Sequence, residues 1–192
     1  EKQTLLRSRF VFGKKEMKRS LANSVNKSIF KDIDLNEIQI KMSEMREKMV
    51  LSIDTKKRDR NYIDVKHERG GIIDVEFIVQ FLKFKYGSTY PELLNPNTQV
   101  TIRKCGKLKI LDKDETRILI HLYIFLRRVE NGIKLFTNLN ISDFECNERN
   151  CYMLGTYLGF IGKEKNIIAF FHSHLRNVID RVNCLYKEYF NA

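Results

Sequence analysis

Apolar residues recur three and four positions apart along most of this chain, the spacing that gathers them on one face of a helix. Glu1–Phe12 reads as the tail of a helix, with Leu5, Leu6, Phe10 and Val11 in register and Gly13 closing it. A second follows over Lys15–Phe30, striped by Met17, Leu21, Val25 and Ile29. Asp34-Leu35-Asn36-Glu37 has the form of a capping box. The helix it opens carries Leu35, Ile38, Met42, Met45 and Met49 to about Ile53. The charged stretch Asp54 to Arg69 comes next, and within it Tyr62-Ile63-Asp64-Val65 reads as a short extended segment. From Gly71 or Ile72 to Tyr86 the pattern changes. Ile72, Ile73, Val75, Phe77, Ile78, Val79, Phe81, Leu82 and Phe84 go nearly all round the helix, which predicts burial in the middle of a bundle, with Gly87 as the residue past its end. Asn97-Thr98 then opens a short helix that Gly106 closes. Asp112-Lys113-Asp114-Glu115 caps a long one to about Asn138, Asn147 caps another to about Phe160, and the last runs from about Lys163 to Phe190.

Two prolines, at 91 and 96, and nine glycines are few breakers for 192 residues, which favours long helices over a turn-rich β fold. The expected fold is all-α, a single helical-bundle domain over 1–192 with about seven or eight helices and no strand assigned. No apolar run reaches the length of a membrane span. The net charge of +11 raises the question of nucleic acid. However, lysine is spread along the chain, and the densest patch, Lys56-Lys57-Arg58-Asp59-Arg60, reads as a solvated loop; a nucleic-acid partner is not expected. Cys105, Cys146, Cys151 and Cys184 show no zinc spacing and read as reduced thiols of a cytoplasmic protein. His172 and His174 lie two apart on a helix, so their side chains point about 200° apart and cannot chelate one metal.

The candidate chemistry lies in KHERGGIIDVEF, Lys66 to Phe77. A Gly-Gly before a helix allows close backbone approach to a ligand, and free N–H groups at the helix start favour an anion, with Lys66 or Arg69 assisting. Asp74 and Glu76, just inside the helix, either complement its dipole or face a site. Acids at the end of a buried helix need a base or a cleft. Phe125-Leu126-Arg127-Arg128-Val129-Glu130 offers candidates, because Arg127 and Arg128 interrupt an apolar helix and a buried arginine needs a carboxylate or phosphate.

These residues carry a resemblance. KHERGGIIDVEFIVQFL resembles the hallmark of the glutamine synthetase adenylyltransferase/adenylyl-removing enzyme family, with Lys66, Gly70, Gly71, Ile72, Asp74, Glu76, Phe77, Val79 and Gln80 at matching positions. EKQTLLRSRFVFG, MSEMREKM, YPELLNPNTQ and FLRRVEN follow the family's order. The wording is more similar to the adenylylating half than to the removing half. The resemblance implies transfer of AMP from ATP to a tyrosine of glutamine synthetase, with Mg²⁺, under control by PII protein. The family's catalytic signature, a Gly-Ser followed by Asp-x-Asp, is not found here; Asp32-Ile33-Asp34 lacks the Gly-Ser, and Asp34 serves as a cap. The chain, which starts at Glu1 without methionine, is therefore expected to be the helical domain of a longer polypeptide. On that reading its partners are the catalytic nucleotidyltransferase domain of the same polypeptide, glutamine synthetase and PII protein. Mg²⁺ and ATP belong to the intact enzyme, and no metal or cofactor is expected on this chain alone. Lys66, Gly70, Gly71, Asp74 and Glu76 are the candidate active-site-proximal residues, supported by Arg127, Arg128 and Glu130. Two other readings stay open: a non-catalytic module docking glutamine synthetase or PII protein, and a relative of the PII uridylyltransferase.

Overall fold

The computed structural model describes residues 2–53 and 61–190. The basic run at positions 56–60 lies outside them. Among the described residues there are eight α-helices: α1 Lys2–Leu5, α2 Lys15–Phe30, α3 Leu35–Leu51, α4 Ile72–Tyr86, α5 Thr98–Lys107, α6 Lys113–Thr137, α7 Glu148–Leu158 and α8 Glu164–Phe190. A 3-10 turn spans Pro91–Leu94, and two short strands are present, β1 Tyr62–Asp64 and β2 Asp143–Glu145. The all-α reading holds. None of the helices is long and apolar enough to cross a membrane.

The caps foreseen from the sequence do form. Asp34 Oδ1 accepts from the amides of Asn36 and Glu37 at the start of α3 (2.9 and 3.2 Å). Asp112 Oδ1 takes the amides of Asp114 and Glu115, while Glu115 accepts from the Asp112 amide, each at 2.8 Å. This is a complete capping box. Asn97 and Asn147 accept from Val100 and Asn150 at α5 and α7. The first helix departs from expectation. It ends at Leu5, where Arg7 and Ser8 close tight turns onto Thr4 and Leu5. The residues after it, Arg9-Phe10-Val11-Phe12, include β-branched and aromatic side chains that favour helix weakly. Gly13 does not stop a helix; it lies under the ring of Phe10, where a Cβ would come 2.7 Å from Cζ.

The described residues divide into two compact units. One takes residues 2–43 and 76–120, the other 44–53, 61–75 and 121–190. In the first unit Leu6, Ile29, Ile78, Leu93 and Ile102 are almost wholly buried. Thr101 Oγ1 donates to the carbonyls around Leu93 and Asn95, and Lys83 Nζ donates to Asn95 O at 2.7 Å. The outer stripe of α2 is less covered than its spacing promised: Met17 and Leu21 are half exposed.

In the second unit α8 supplies a buried stripe of Ile167, Phe171, Leu175, Val178, Val182 and Leu185, the 3.6-residue period of an amphipathic helix. Gly155 of α7 lets α8 approach; a Cβ there would meet Ile167 at 2.7 Å. The strands were only half foreseen. β1 pairs antiparallel with β2, Ile63 opposite Phe144, and both of these side chains are buried.

Candidate functional site

The segment from β1 to α4 is held by two carboxylates. At its start Asp64 Oδ1 accepts from the amides of Lys66 and His67 (3.0 and 3.1 Å) and from Ser142 Oγ (2.8 Å). Asp64 Oδ2 lies 2.9 Å from His67 Nδ1. Burial opposes the charge, but these hydrogen bonds outweigh it and hold the Asp64 carboxyl far below the usual carboxylate range. At its end Asp74 is 1% exposed. One oxygen receives Arg46 Nε and the other the Gly70 amide. Arg46, also 1% exposed, donates from Nη2 to Glu68 O at 2.8 Å. Burial pushes the Asp74 carboxyl up, while Arg46, the Gly70 amide and Arg69 pull it down. Arg69 grips Glu47 with two parallel hydrogen bonds, 2.8 and 2.5 Å.

The two glycines serve this same loop. Gly70 has φ +80°, and a Cβ there would stand 2.1 Å from the Ile179 carbonyl of α8. Around Gly71 the carbonyls of Val65, Lys66 and Glu68 converge, each within 2.9 Å of where a Cβ would be. The close approach expected for a ligand is thus made by the protein's own backbone. The start of α4 is similarly occupied. Ile72 N–H donates to Val65 O, Ile73 N–H to Lys66 O and Asp74 N–H to Gly71 O. The free amides that an anion would need are engaged internally, so the expected anion site at this helix end is not formed.

Lys66, Gly70 and Gly71 therefore share one loop of the second unit, tied to Asp74 in the first turn of α4. The Lys66 side chain is half-buried and makes no hydrogen bond or ion pair with a described residue. Glu76 belongs to the first unit, where Arg7 donates to it at 2.9 Å. Arg127, Arg128 and Glu130 lie on α6. Arg127 is half-exposed and pairs with the buried Glu130 at 2.8 Å, which also takes Lys134 at 2.9 Å. Arg128 is exposed and donates to Leu158 O. Neither arginine is the buried cation expected for Asp74; that cation is Arg46. A signal for it exists in MSEMREKM. Arg46 follows Met42 by four positions and precedes Val50 by four, so it stands on a buried stripe. No three His, Cys, Asp or Glu side chains among the described residues gather as a metal site. The donor set around Asp74, already filled by Arg46 and an amide, does not suit Mg²⁺.

Residues 41–190 match the sequence model of the family described as GlnD PII-uridylyltransferase. The chain belongs to that family. It is also similar to the bifunctional glutamine synthetase adenylyltransferase/adenylyl-removing enzymes of Nitrosomonas europaea and Nitrosomonas eutropha, at 32% and 31% identity over 136 residues. That stretch is 70% of this chain and 14% of either relative. The resemblance carried by the Gly-Gly-Ile-Ile-Asp-Val-Glu-Phe segment thus extends over most of the chain, and the loop with its Arg46 clamp falls inside the family match.

Proposed function

We propose that this family member is the helical arm of a nucleotidyltransferase that modifies glutamine synthetase, and that its Val65–Gly71 loop presents Lys66 to the nucleotide phosphates. One observation carries the reading: the loop is fastened from within by Asp64, Arg46 and Asp74, while the Lys66 ammonium has no partner among the described residues. A cation held on a rigid loop suits phosphate as a point charge. The names of the curated relatives support the reaction, transfer or removal of an adenylyl group on glutamine synthetase. In the intact enzyme a catalytic nucleotidyltransferase domain would hold ATP and Mg²⁺, glutamine synthetase would be the acceptor and PII protein a regulator. The residues of this chain supply positioning and charge, and the chain alone transfers no AMP.

The test is Lys66→Ala in the intact enzyme. Loss of a charge-assisted phosphate contact raises the KM for ATP by about tenfold, equivalent to about 1.4 kcal/mol, with the thermal midpoint of the 192-residue chain unchanged. An unaltered KM together with weakened capture of glutamine synthetase would replace this reading with that of a docking module. The exposure of Val11 and Phe12, 83% and 93%, favours such a module. The family match favours a second reading, relation to the PII uridylyltransferases. UTP-dependent labelling of PII protein, in place of ATP-dependent labelling of glutamine synthetase, would establish it.

A further inference from the structure

The cysteines read from the sequence as ordinary reduced thiols include one pair in contact. Cys146 and Cys151 are both buried, with their sulfurs 3.5 Å apart. Asn147 caps α7, so Cys146 stands one residue before the cap and Cys151 four after it. Those are the positions at which a hydrophobic staple packs across a helix start. A staple ordinarily joins two apolar side chains; here both members are thiols. We propose that Cys146 and Cys151 are a peroxide-reactive dithiol site that closes reversibly to a disulfide across the start of α7.

The backbone is ready for this. The Cys146 amide donates to Asn61 O at 2.9 Å, and Asn61 Nδ2 donates to Cys146 O at 2.8 Å. The Cys151 amide donates to Asn147 O at 2.9 Å. Closure would bring the sulfurs from 3.5 Å to a bond of about 2.05 Å. The two thiols are also unequal. The contact between the two sulfurs, against the effect of burial and with help from Arg176, brings the Cys146 thiol below its ordinary value. The Cys151 thiol is held well above its ordinary value by that same contact and by burial. One sulfur is thus suited to attack and the other to resolve. Cys105 is buried and pushed up to about 11, which makes it inert.

The step balances with hydrogen peroxide as oxidant. The Cys146 thiolate, 8% exposed, attacks one peroxide oxygen; the S–O bond forms, the O–O bond breaks, and the departing hydroxide is protonated to water. The Cys151 sulfur then gives up its proton and attacks the Cys146 sulfur. The S–S bond forms, the S–O bond breaks, and a second water leaves. Two electrons pass from the cysteine pair to the peroxide, and a dithiol reductant reverses the change. Closure fastens β2 to α7 beside a cavity of about 190 Å³ lined in part by Glu145, Asn150 and Met153.

The test uses the 192-residue chain carrying Cys184→Ser, which removes the exposed thiol. Dilute hydrogen peroxide under native conditions is expected to lower the thiol count, read after denaturation, from about three to about one. Peptide mapping should find Cys146 joined to Cys151, dithiothreitol should restore both thiols, and the thermal midpoint should rise by about 2–8 °C. Adding Cys151→Ala should slow peroxide reaction at Cys146 severalfold and leave it as a single oxidised cysteine, which simple staple packing would not require. Persistence of all three thiols under conditions that oxidise the unfolded chain would overturn the proposal. So would sulfinic acid at Cys146 with no cross-link.

Discussion

Replacing Arg46 with methionine removes the cation from a pair in which neither residue is more than 1% exposed. Methionine retains an unbranched apolar stem, so most of the packing survives and the charge is what is lost. Asp74 is left with the Gly70 amide as its one remaining donor among the described residues. Removing one partner of a buried pair costs about 3–5 kcal/mol, and the lost hydrogen bond to Glu68 O adds about 1 kcal/mol. Against this, Arg46 Nη1 is buried without a hydrogen-bond partner among the described residues, a defect the substitution relieves. The expected loss is therefore about 3–4 kcal/mol. Asp74→Asn keeps an acceptor for Gly70 but leaves the buried Arg46 guanidinium without its counter-charge, so it too should cost about 3 kcal/mol. The double variant should lose less than the two singles together, by about 1–3 kcal/mol. Urea unfolding followed by far-UV circular dichroism reads all four proteins through midpoint and slope. A loss under about 0.5 kcal/mol in Arg46→Met, or additivity in the double variant, would refute the clamp.

Gly70→Ala should destabilise by more than about 2 kcal/mol, because left-handed backbone is costly and the new Cβ meets the Ile179 carbonyl; a thermal melt within a degree of the parent would contradict the close approach. Burial lowers the Lys83 ammonium from 10.5 to about 8. Between those pH values the unfolded chain holds a proton that the folded chain has released, so stability should rise with pH across the window, by about 3 kcal/mol in full. Lys83→Met should abolish that rise in melts taken from pH 7.5 to 10.5. The Asp64 carboxyl lies below its ordinary value, so its contribution is present above pH about 4 and is lost as the solution is acidified below it. Asp64→Ala should cost about 2 kcal/mol at pH 7 and flatten the acid limb of the stability curve.

Features set by neighbouring residues were legible in the sequence. Asp112 and Asn147 announce helices because a cap needs only the next few amides, and the stripe on α8 follows from one helical period. β2 was hidden: Asp143-Phe144-Glu145 has three residues, and its partner lies some eighty positions earlier. Arg127 and Arg128 were misjudged because charge inside an apolar stretch was taken as burial. The buried face of α6 runs through Leu122, Leu126, Val129 and Ile133, and Arg128 falls outside it. For Gly70 and Gly71 the spacing revealed that something approaches the backbone closely. Whether that is a ligand or the chain's own carbonyls depends on α8, more than a hundred residues away, and no local pattern carries it.

The pairing of β1 with β2 also bears on the order in which the protein is made. The Ser142 hydroxyl that bonds Asp64 follows it by 78 positions, and at cellular elongation rates that is roughly 4–16 s of synthesis. Through that interval Asp64 can bind the amides of Lys66 and His67, both close in sequence, but neither Ser142 nor the second strand exists. Every residue of the first unit has been made by position 120, whereas the second draws on residues up to 190. The Lys66–Val75 segment is thus an early piece of sequence and a late piece of structure. A ribosome stalled just after position 120 should carry it with its acids and glycines in place but without the strand and the helix that close around them.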